Sequence, residues 1–132
     1  SLAGLKGKSV ILYFYPKDDT PGCTKEACGF RDALSDFSGA NAVIIGVSKD
    51  SVAKHDKFKA KYDLPFNLGA DVDGAVCEDY GTWVEKSMYG RKYMGIERAT
   101  FLIDGDGVLR GVWRKVKVKG HVDAVLAAAR DL

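Results

Sequence analysis

Three short apolar runs rich in β-branched residues constrain the fold of this chain more than any other feature. They cover residues 9–15, 42–47 and 99–103, and each is typical of a strand that is buried on both faces. Apolar residues at helical spacing between the first two runs predict a helical crossover, which makes these strands parallel. The turn at 104–107 predicts a hairpin, so that residues 108–113 return antiparallel. We therefore expect an α/β fold, with a mixed central β-sheet flanked by helices on both faces (three-layer α/β/α).

The remaining segments complete one predicted domain over residues 1–132. Helices are expected in four segments, at residues 20–39, 48–62, 73–81 and 120–132. A short strand at most is expected at 65–68, and irregular structure is expected over 82–95. We find no internal repeat, linker or low-complexity stretch.

Composition excludes several classes of protein. With 132 residues, 46% hydrophobic and 29% charged, the chain is expected to be a globular protein rather than disordered or membrane-spanning. A net charge of +2, from 20 basic and 18 acidic residues, gives no attraction to nucleic acid or to anionic membranes. Three cysteines are too few for a disulfide scaffold and suit a reducing compartment. We expect a cytoplasmic protein, or a plastid protein if a transit peptide has been removed.

The segment Thr20-Pro21-Gly22-Cys23 is typical of a helix start that carries a reactive cysteine. Thr20 is a favourable N-cap residue, and Pro21 suits the first helical position. Cys23 would then lie in the first turn, where free backbone N–H groups and the helix dipole favour a thiolate over a thiol. The alternative is an inert core cysteine. The loop that precedes the capped start favours the reactive interpretation.

Residues 15–28, Tyr-Pro-Lys-Asp-Asp-Thr-Pro-Gly-Cys-Thr-Lys-Glu-Ala-Cys, resemble the active-site signature of the peroxiredoxins. Proline is followed after three residues by threonine, and threonine after two more by cysteine. A second cysteine five positions further on resembles the peroxiredoxin Q branch, also called bacterioferritin comigratory protein. Residues 95–104 resemble the strand that carries the family's arginine, and 114–121 resemble the same branch. The resemblance extends from about Leu5 to the last residue.

This resemblance implies a thioredoxin-like fold and a thiol peroxidase that reduces hydrogen peroxide and organic hydroperoxides without metal, flavin or haem. It makes Cys23 the peroxidatic nucleophile. Thr20 would orient the peroxide, Arg98 would hold the thiolate and bind the peroxide, and Pro16 would shield the site from water. Compared with the family, an N-terminal β-hairpin before the first strand is expected to be missing.

The cysteine that resolves the sulfenic acid of Cys23 is expected to be Cys28. Five helical residues separate the two α-carbons by about 8–9 Å, whereas a disulfide needs less than about 7 Å. The start of the helix would therefore have to unwind, and Gly29 lowers helix propensity there. Cys77 is the competing resolving cysteine, although a role as core filler is favoured.

The resemblance further implies recycling by thioredoxin or a similar dithiol, and a monomeric state. Two alternatives are a thioredoxin-fold thiol–disulfide oxidoreductase and a non-catalytic binding module. The missing Cys-x-x-Cys pair argues against the first, and the complete Pro16, Thr20, Cys23 and Arg98 set argues against the second. His55, within a run of lysines and aspartates, is expected to be solvated, and neither it nor His121 has a recognisable partner motif.

Overall fold

The computed structural model describes residues 2–132 and contains a mixed central sheet. Its strands are β1 (Ser9–Phe14), β2 (Ala42–Ser48), β3 (Asn67–Ala70), β6 (Ala99–Ile103) and β7 (Leu109–Trp113). They are ordered β3-β2-β1-β6-β7, with β1–β2 and β2–β3 parallel and with β1–β6 and β6–β7 antiparallel. The mixed sheet predicted from the apolar runs is thus confirmed, including the late antiparallel hairpin.

Five helices and a separate two-stranded hairpin surround this sheet within residues 2–132. The helices are α1 (Pro21–Asp32), α2 (Leu34–Gly39), α3 (Val52–Tyr62), α4 (Ala75–Asp79) and α5 (His121–Arg130), and a 3-10 helix covers Leu2–Leu5. The hairpin consists of β4 (Trp83–Met88) and β5 (Arg91–Ile96). No helix in the described part of the chain is both long enough and apolar enough to cross a membrane.

Two separate hydrophobic clusters lie on the opposite faces of β1. Ile11, Tyr13 and Tyr15 belong to a cluster that also contains Cys23 and buried residues of α1, α2, α3 and α5. The alternate β1 residues Val10, Leu12 and Phe14 belong to the other cluster, with Cys77. The side chains of a strand alternate between the faces of a sheet, so Cys23 and Cys77 lie on opposite sides of it.

Two sequence predictions about local structure were wrong. Residues 82–95 are not irregular, because β4 and β5 form a hairpin there. Its turn residues Tyr89 and Gly90 have φ of 52° and 77°, as a two-residue hairpin turn of type I′ requires. The single helix expected over 20–39 is divided at Ala33, whose φ and ψ of −95° and 5° lie outside helical geometry. This break separates α1 from α2.

Gly46 in β2 provides space for the buried ring of Tyr13 on the neighbouring strand. A Cβ at Gly46 would lie 2.8 Å from Tyr13 Cζ and 2.9 Å from Leu68 Cδ2. We expect Gly46→Ala to lower the free energy of unfolding by about 1–3 kcal/mol through overpacking, as measured by urea unfolding. The control is Gly39→Ala at the end of α2, where nothing lies within 4 Å of the added carbon. An equal effect of both substitutions would contradict this account.

Candidate active site

Cys23 lies in the first turn of α1, in the predicted position. Thr20 is the N-cap residue with φ −91° and ψ 156°, and Pro21 is the first helical residue. The side chain of Thr20 does not cap the helix, which corrects one detail of the prediction. Its hydroxyl instead donates a hydrogen bond of 2.8 Å to the carbonyl of Lys17. The Thr20 hydroxyl is thereby fixed by the preceding loop.

Arg98, between β5 and β6, brings its guanidinium group to the sulfur of Cys23. Nη2 donates to Cys23 Sγ at 3.3 Å, and Nη1 donates to Glu26 Oε1 at 2.7 Å. A Cβ at Gly22 would lie only 3.1 Å from Nη2, so glycine at this position leaves room for the guanidinium. Cys23 is 2% exposed. Water therefore screens the contact between the guanidinium and the sulfur little.

Glu26 is a buried acid that sequence reasoning missed. It follows Cys23 by three residues on the same face of α1, is completely buried and forms the ion pair with Arg98. Burial raises the pKa of Glu26 to about 7, against the opposing effect of Arg98. The sequence did contain a sign of this burial. Glu26 has helical spacing with Cys23, Ala27 and Phe30, so its carboxylate lies on the apolar face of α1. Glu26 and Cys23 thus share one guanidinium group.

A second polar pair lies behind this ion pair. His121, the first residue of α5, is buried and shares a 2.7 Å hydrogen bond with the hydroxyl of Thr100. Its Nε2 lies 4.0 Å from Glu26 Oε2. Burial, and then the charge of Arg98, lower the pKa of His121 to about 4. His121 is therefore neutral near neutral pH, and Arg98 is the cation that faces Glu26 and Cys23.

Pro16 and Arg98 line one cleft of about 560 Å³. Its other lining residues are Val84, Glu85, Lys86, Glu97, Lys115 and Val116. The Arg98 side chain is 16% exposed, so the guanidinium links the open cleft to the buried sulfur. The structure therefore brings Pro16, Arg98 and Cys23 to one place, with Thr20 at the start of the same helix.

The three cysteines are free and lie in different environments. Cys28 is half-buried in α1, the same helix as Cys23. Cys77 is completely buried in α4 across the sheet, and burial, helped by Asp71, raises its pKa to about 12. Cys77 is therefore a neutral thiol near neutral pH and lies on the other side of the sheet from Cys23. This placement favours the role of core filler.

Gly29 also has a packing role between two helices. A Cβ at this position would lie 3.0 Å from Val122 Cγ2 in α5. The glycine therefore allows α1 and α5 to approach closely, in addition to its low helix propensity.

His55 is not solvated, contrary to the sequence prediction. The residue is 2% exposed, and its Nδ1 lies 2.6 Å from Oδ2 of Asp18, which belongs to the loop between β1 and α1. The charged residues around it in the sequence gave no sign of this partner, because Asp18 is 37 positions away.

Comparison with known proteins gives the family of this chain. Residues 1–112 match the model of the AhpC/TSA family. The putative peroxiredoxin bcp of Coxiella burnetii is 64% identical over 96% of this chain and 83% of that protein. Peroxiredoxin Bcp of Bacillus subtilis is 54% identical over 99% of this chain and 83% of that protein. The chain is a peroxiredoxin.

Solved structures agree with this assignment. The bacterioferritin comigratory protein of Xanthomonas campestris, described for its alkyl peroxide reduction activity, superposes with a TM-score of 0.94. It is 48% identical, and the match covers 99% of this chain and 83% of the other. A serine variant of peroxiredoxin Q from Xylella fastidiosa superposes with a TM-score of 0.95 at 41% identity, covering 99% of this chain and 81% of that one. The predicted thioredoxin-like fold and peroxiredoxin Q type are confirmed, and this peroxiredoxin is a thiol peroxidase.

Proposed function

We propose that this peroxiredoxin reduces hydrogen peroxide and organic hydroperoxides at Cys23 and recycles through a Cys23–Cys28 disulfide. The observation that carries the proposal is the 3.3 Å contact between Arg98 Nη2 and Cys23 Sγ, at the first turn of a helix beside an open cleft. Arg98 both lines this cleft and contacts the buried sulfur, so a small peroxide that enters the cleft would meet the guanidinium beside Cys23.

In the first step the thiolate sulfur of Cys23 attacks one peroxide oxygen and the O–O bond breaks. The attacked oxygen keeps its own hydrogen and becomes the hydroxyl of a sulfenic acid, and the other oxygen takes up one proton and leaves as water or an alcohol. Arg98 is a donor for the negative charge that develops on the oxygens. The Thr20 hydroxyl orients the peroxide, and Pro16, which has no N–H group, covers the site.

In the second step the thiol of Cys28 attacks the sulfenic sulfur, forms the disulfide and releases water. A dithiol reductant of the thioredoxin type then reduces the disulfide to two thiols and is itself oxidised. In α1 the two cysteines are too far apart for a disulfide, so the first turns must unwind. The break at Ala33 gives this unwinding a natural end, because α2 begins as a separate helix at Leu34.

Cys28→Ser is expected to separate the two steps. Its first oxidation by peroxide should keep the wild-type rate, whereas turnover with thioredoxin should fall at least about tenfold because the sulfenic acid has no resolving partner. Hydrogen exchange of the α1 amides should rise on oxidation of the wild type and stay unchanged in this variant. Cys77→Ser is the control and should retain both the exchange response and the turnover. Loss of turnover only in Cys77→Ser would make Cys77 the resolving cysteine.

The proposal also includes a single-domain, monomeric enzyme in the cytoplasm. Three free cysteines suit a reducing compartment, and the five-stranded sheet is surrounded by helices of the same chain. Light scattering of the reduced and the oxidised protein measures the molar mass. A dimer in both states would contradict the monomeric assignment.

A further inference from the structure

His55 in α3 is buried between two hydrogen-bond acceptors. Its Nδ1 lies 2.6 Å from Asp18 Oδ2, and its Nε2 lies 3.1 Å from the carbonyl oxygen of Gly69 in β3. The side chains of His55 and Asp18 are only 3% and 6% exposed. Water therefore screens this pair little, and its interaction is stronger than that of a surface ion pair.

The contacts define the charges of the pair. A carbonyl oxygen only accepts, so Nε2 of His55 carries a hydrogen. Asp18 accepts a hydrogen bond of 2.5 Å from the hydroxyl of Tyr15 through Oδ1, and its other oxygen, Oδ2, faces Nδ1. A carboxylate oxygen only accepts, so opposite a carboxylate Nδ1 carries a hydrogen as well. A ring with both nitrogens protonated is an imidazolium. Burial alone would lower the pKa of His55, but Asp18 and the Gly69 carbonyl raise it above the ordinary value.

Asp18 is the central residue of the loop that leads to the active site. Pro16 precedes it by two residues and Thr20 follows it by two. Its backbone N–H donates to Asp50 Oδ2 at 2.8 Å, so both the side chain and the main chain are held. The neighbouring Asp19 accepts hydrogen bonds from two further α3 residues, Lys61 and Tyr62. The loop is thus attached to α3 at two successive residues, and His55 provides the buried attachment.

The same side chains could form a cation site, since ligand atoms of Asp18, Asp50 and His55 lie within 4.8 Å of one another. Their contacts argue against it. Both ring nitrogens of His55 are already engaged, and Asp50 Oδ2 accepts from the Ser48 hydroxyl at 2.7 Å as well as from the loop. The donors and acceptors satisfy one another without an ion.

We propose that the His55 imidazolium is a positioning residue for peroxide reduction, which holds the loop of Pro16 and Thr20 through Asp18 and releases it when it loses its proton. This inference rests on the proposed role of Cys23 and of this loop. His55 touches neither the sulfur nor the peroxide, so its effect is on the alignment of the groups that do. A small misalignment of such groups is enough to slow the reaction strongly.

The direction of the pH dependence follows from the groups around the ring. The carboxylates of Asp18 and Asp50 face it and favour the charged form, and the hydroxyl of Tyr15 lies 3.4 Å from Nδ1. The surface above Asp18 and Asp50 is lined by Asp19 and four lysines of the loop and α3, which are Lys17, Lys54, Lys57 and Lys61. Because the folded protein raises the pKa of His55, the attachment is complete below the unfolded value near 6.5 and is lost as the pH rises through the folded value.

The experiment compares two His55 variants with the wild type by stopped-flow oxidation with hydrogen peroxide from about pH 5.5 to about pH 9. His55→Leu removes both hydrogen bonds. His55→Asn retains an N–H group near the position of Nδ1 but cannot titrate. Alkylation of Cys23 by iodoacetamide is measured in parallel, since it reports the thiolate without the need for an aligned peroxide. Long-range proton–nitrogen spectra of the wild type count the protons on the ring.

We expect His55→Leu to be oxidised about 10–100-fold more slowly near pH 6.5, with alkylation of Cys23 within about twofold of wild type. His55→Asn should recover most of the rate and lack the alkaline decline of the wild type. The ring spectrum should show protons on both nitrogens near pH 6. A ring with one proton near pH 6 would overturn the proposal, and this measurement on the wild type does not depend on how the variants fold. Wild-type rates in His55→Leu at every pH would also overturn it. Failure of the proposed function would be recognised separately from failure of this inference, because Cys23→Ser would then still reduce peroxide.

Discussion

Replacement of Cys23 by serine is expected to abolish peroxide reduction, to less than about one-thousandth of the wild-type rate. Serine fits the site, but its hydroxyl is not ionised at neutral pH and is a far weaker nucleophile than a thiolate. The measurement is peroxide consumption with dithiothreitol as the reductant. Every other group that contacts the sulfur remains in place, so a loss of activity reports the nucleophile itself.

Cys28→Ser is the matched control for this loss. It removes a half-buried thiol from the same helix, yet it should retain the first oxidation. Circular dichroism and thermal unfolding of both variants show whether the fold is intact. Substantial peroxide consumption by folded Cys23→Ser would refute the assignment of the nucleophile.

Arg98→Lys is expected to slow the oxidation of Cys23 by about 100-fold or more, the usual cost of one lost donor to a developing oxyanion. Arginine contacts Cys23 Sγ and Glu26 Oε1 through different nitrogens. Lysine retains the charge but has a single ammonium group, which cannot reproduce this planar fork. Alkylation of Cys23 at neutral pH should slow as well, because less thiolate is present.

Arg114→Lys is the control for this prediction. Arg114 is also bound to a glutamate, with Nε 2.9 Å from Glu97 Oε2, but it is more exposed and does not contact Cys23. Its replacement should change the oxidation rate by less than about twofold, as is usual for a surface ion pair. Equal effects of the two substitutions would mean that Arg98 acts as a general surface charge.

The three central strands could be predicted from their apolar runs, whereas the edge strand β7 was predicted from the turn that precedes it. β1, β2 and β6 are central strands with short, nearly continuous apolar runs, and burial on both faces explains that pattern. The β4–β5 hairpin was missed because most of its side chains are exposed, including Tyr89 at 98%. An exposed two-stranded ribbon has no buried face and therefore no alternation to detect.

The active site could be predicted in part for a similar reason. Pro16, Thr20 and Cys23 lie in one continuous segment, so their spacing is visible in the sequence. Arg98 is 75 residues away from Cys23, and only the family resemblance connected the two. Glu26 and His55 were missed because each is a buried ionisable residue whose partner is distant in sequence. Their pairing is a property of the tertiary structure.

A disulfide map after one equivalent of hydrogen peroxide tests the proposed chemistry most directly. The reduced protein is oxidised, its remaining thiols are alkylated, and tryptic peptides are analysed by mass spectrometry. We expect Cys23 to be linked to Cys28, with Cys77 alkylated once the protein is unfolded. A peptide that joins Cys23 to Cys77, or a Cys23 that remains fully alkylatable while peroxide is consumed, would contradict the account.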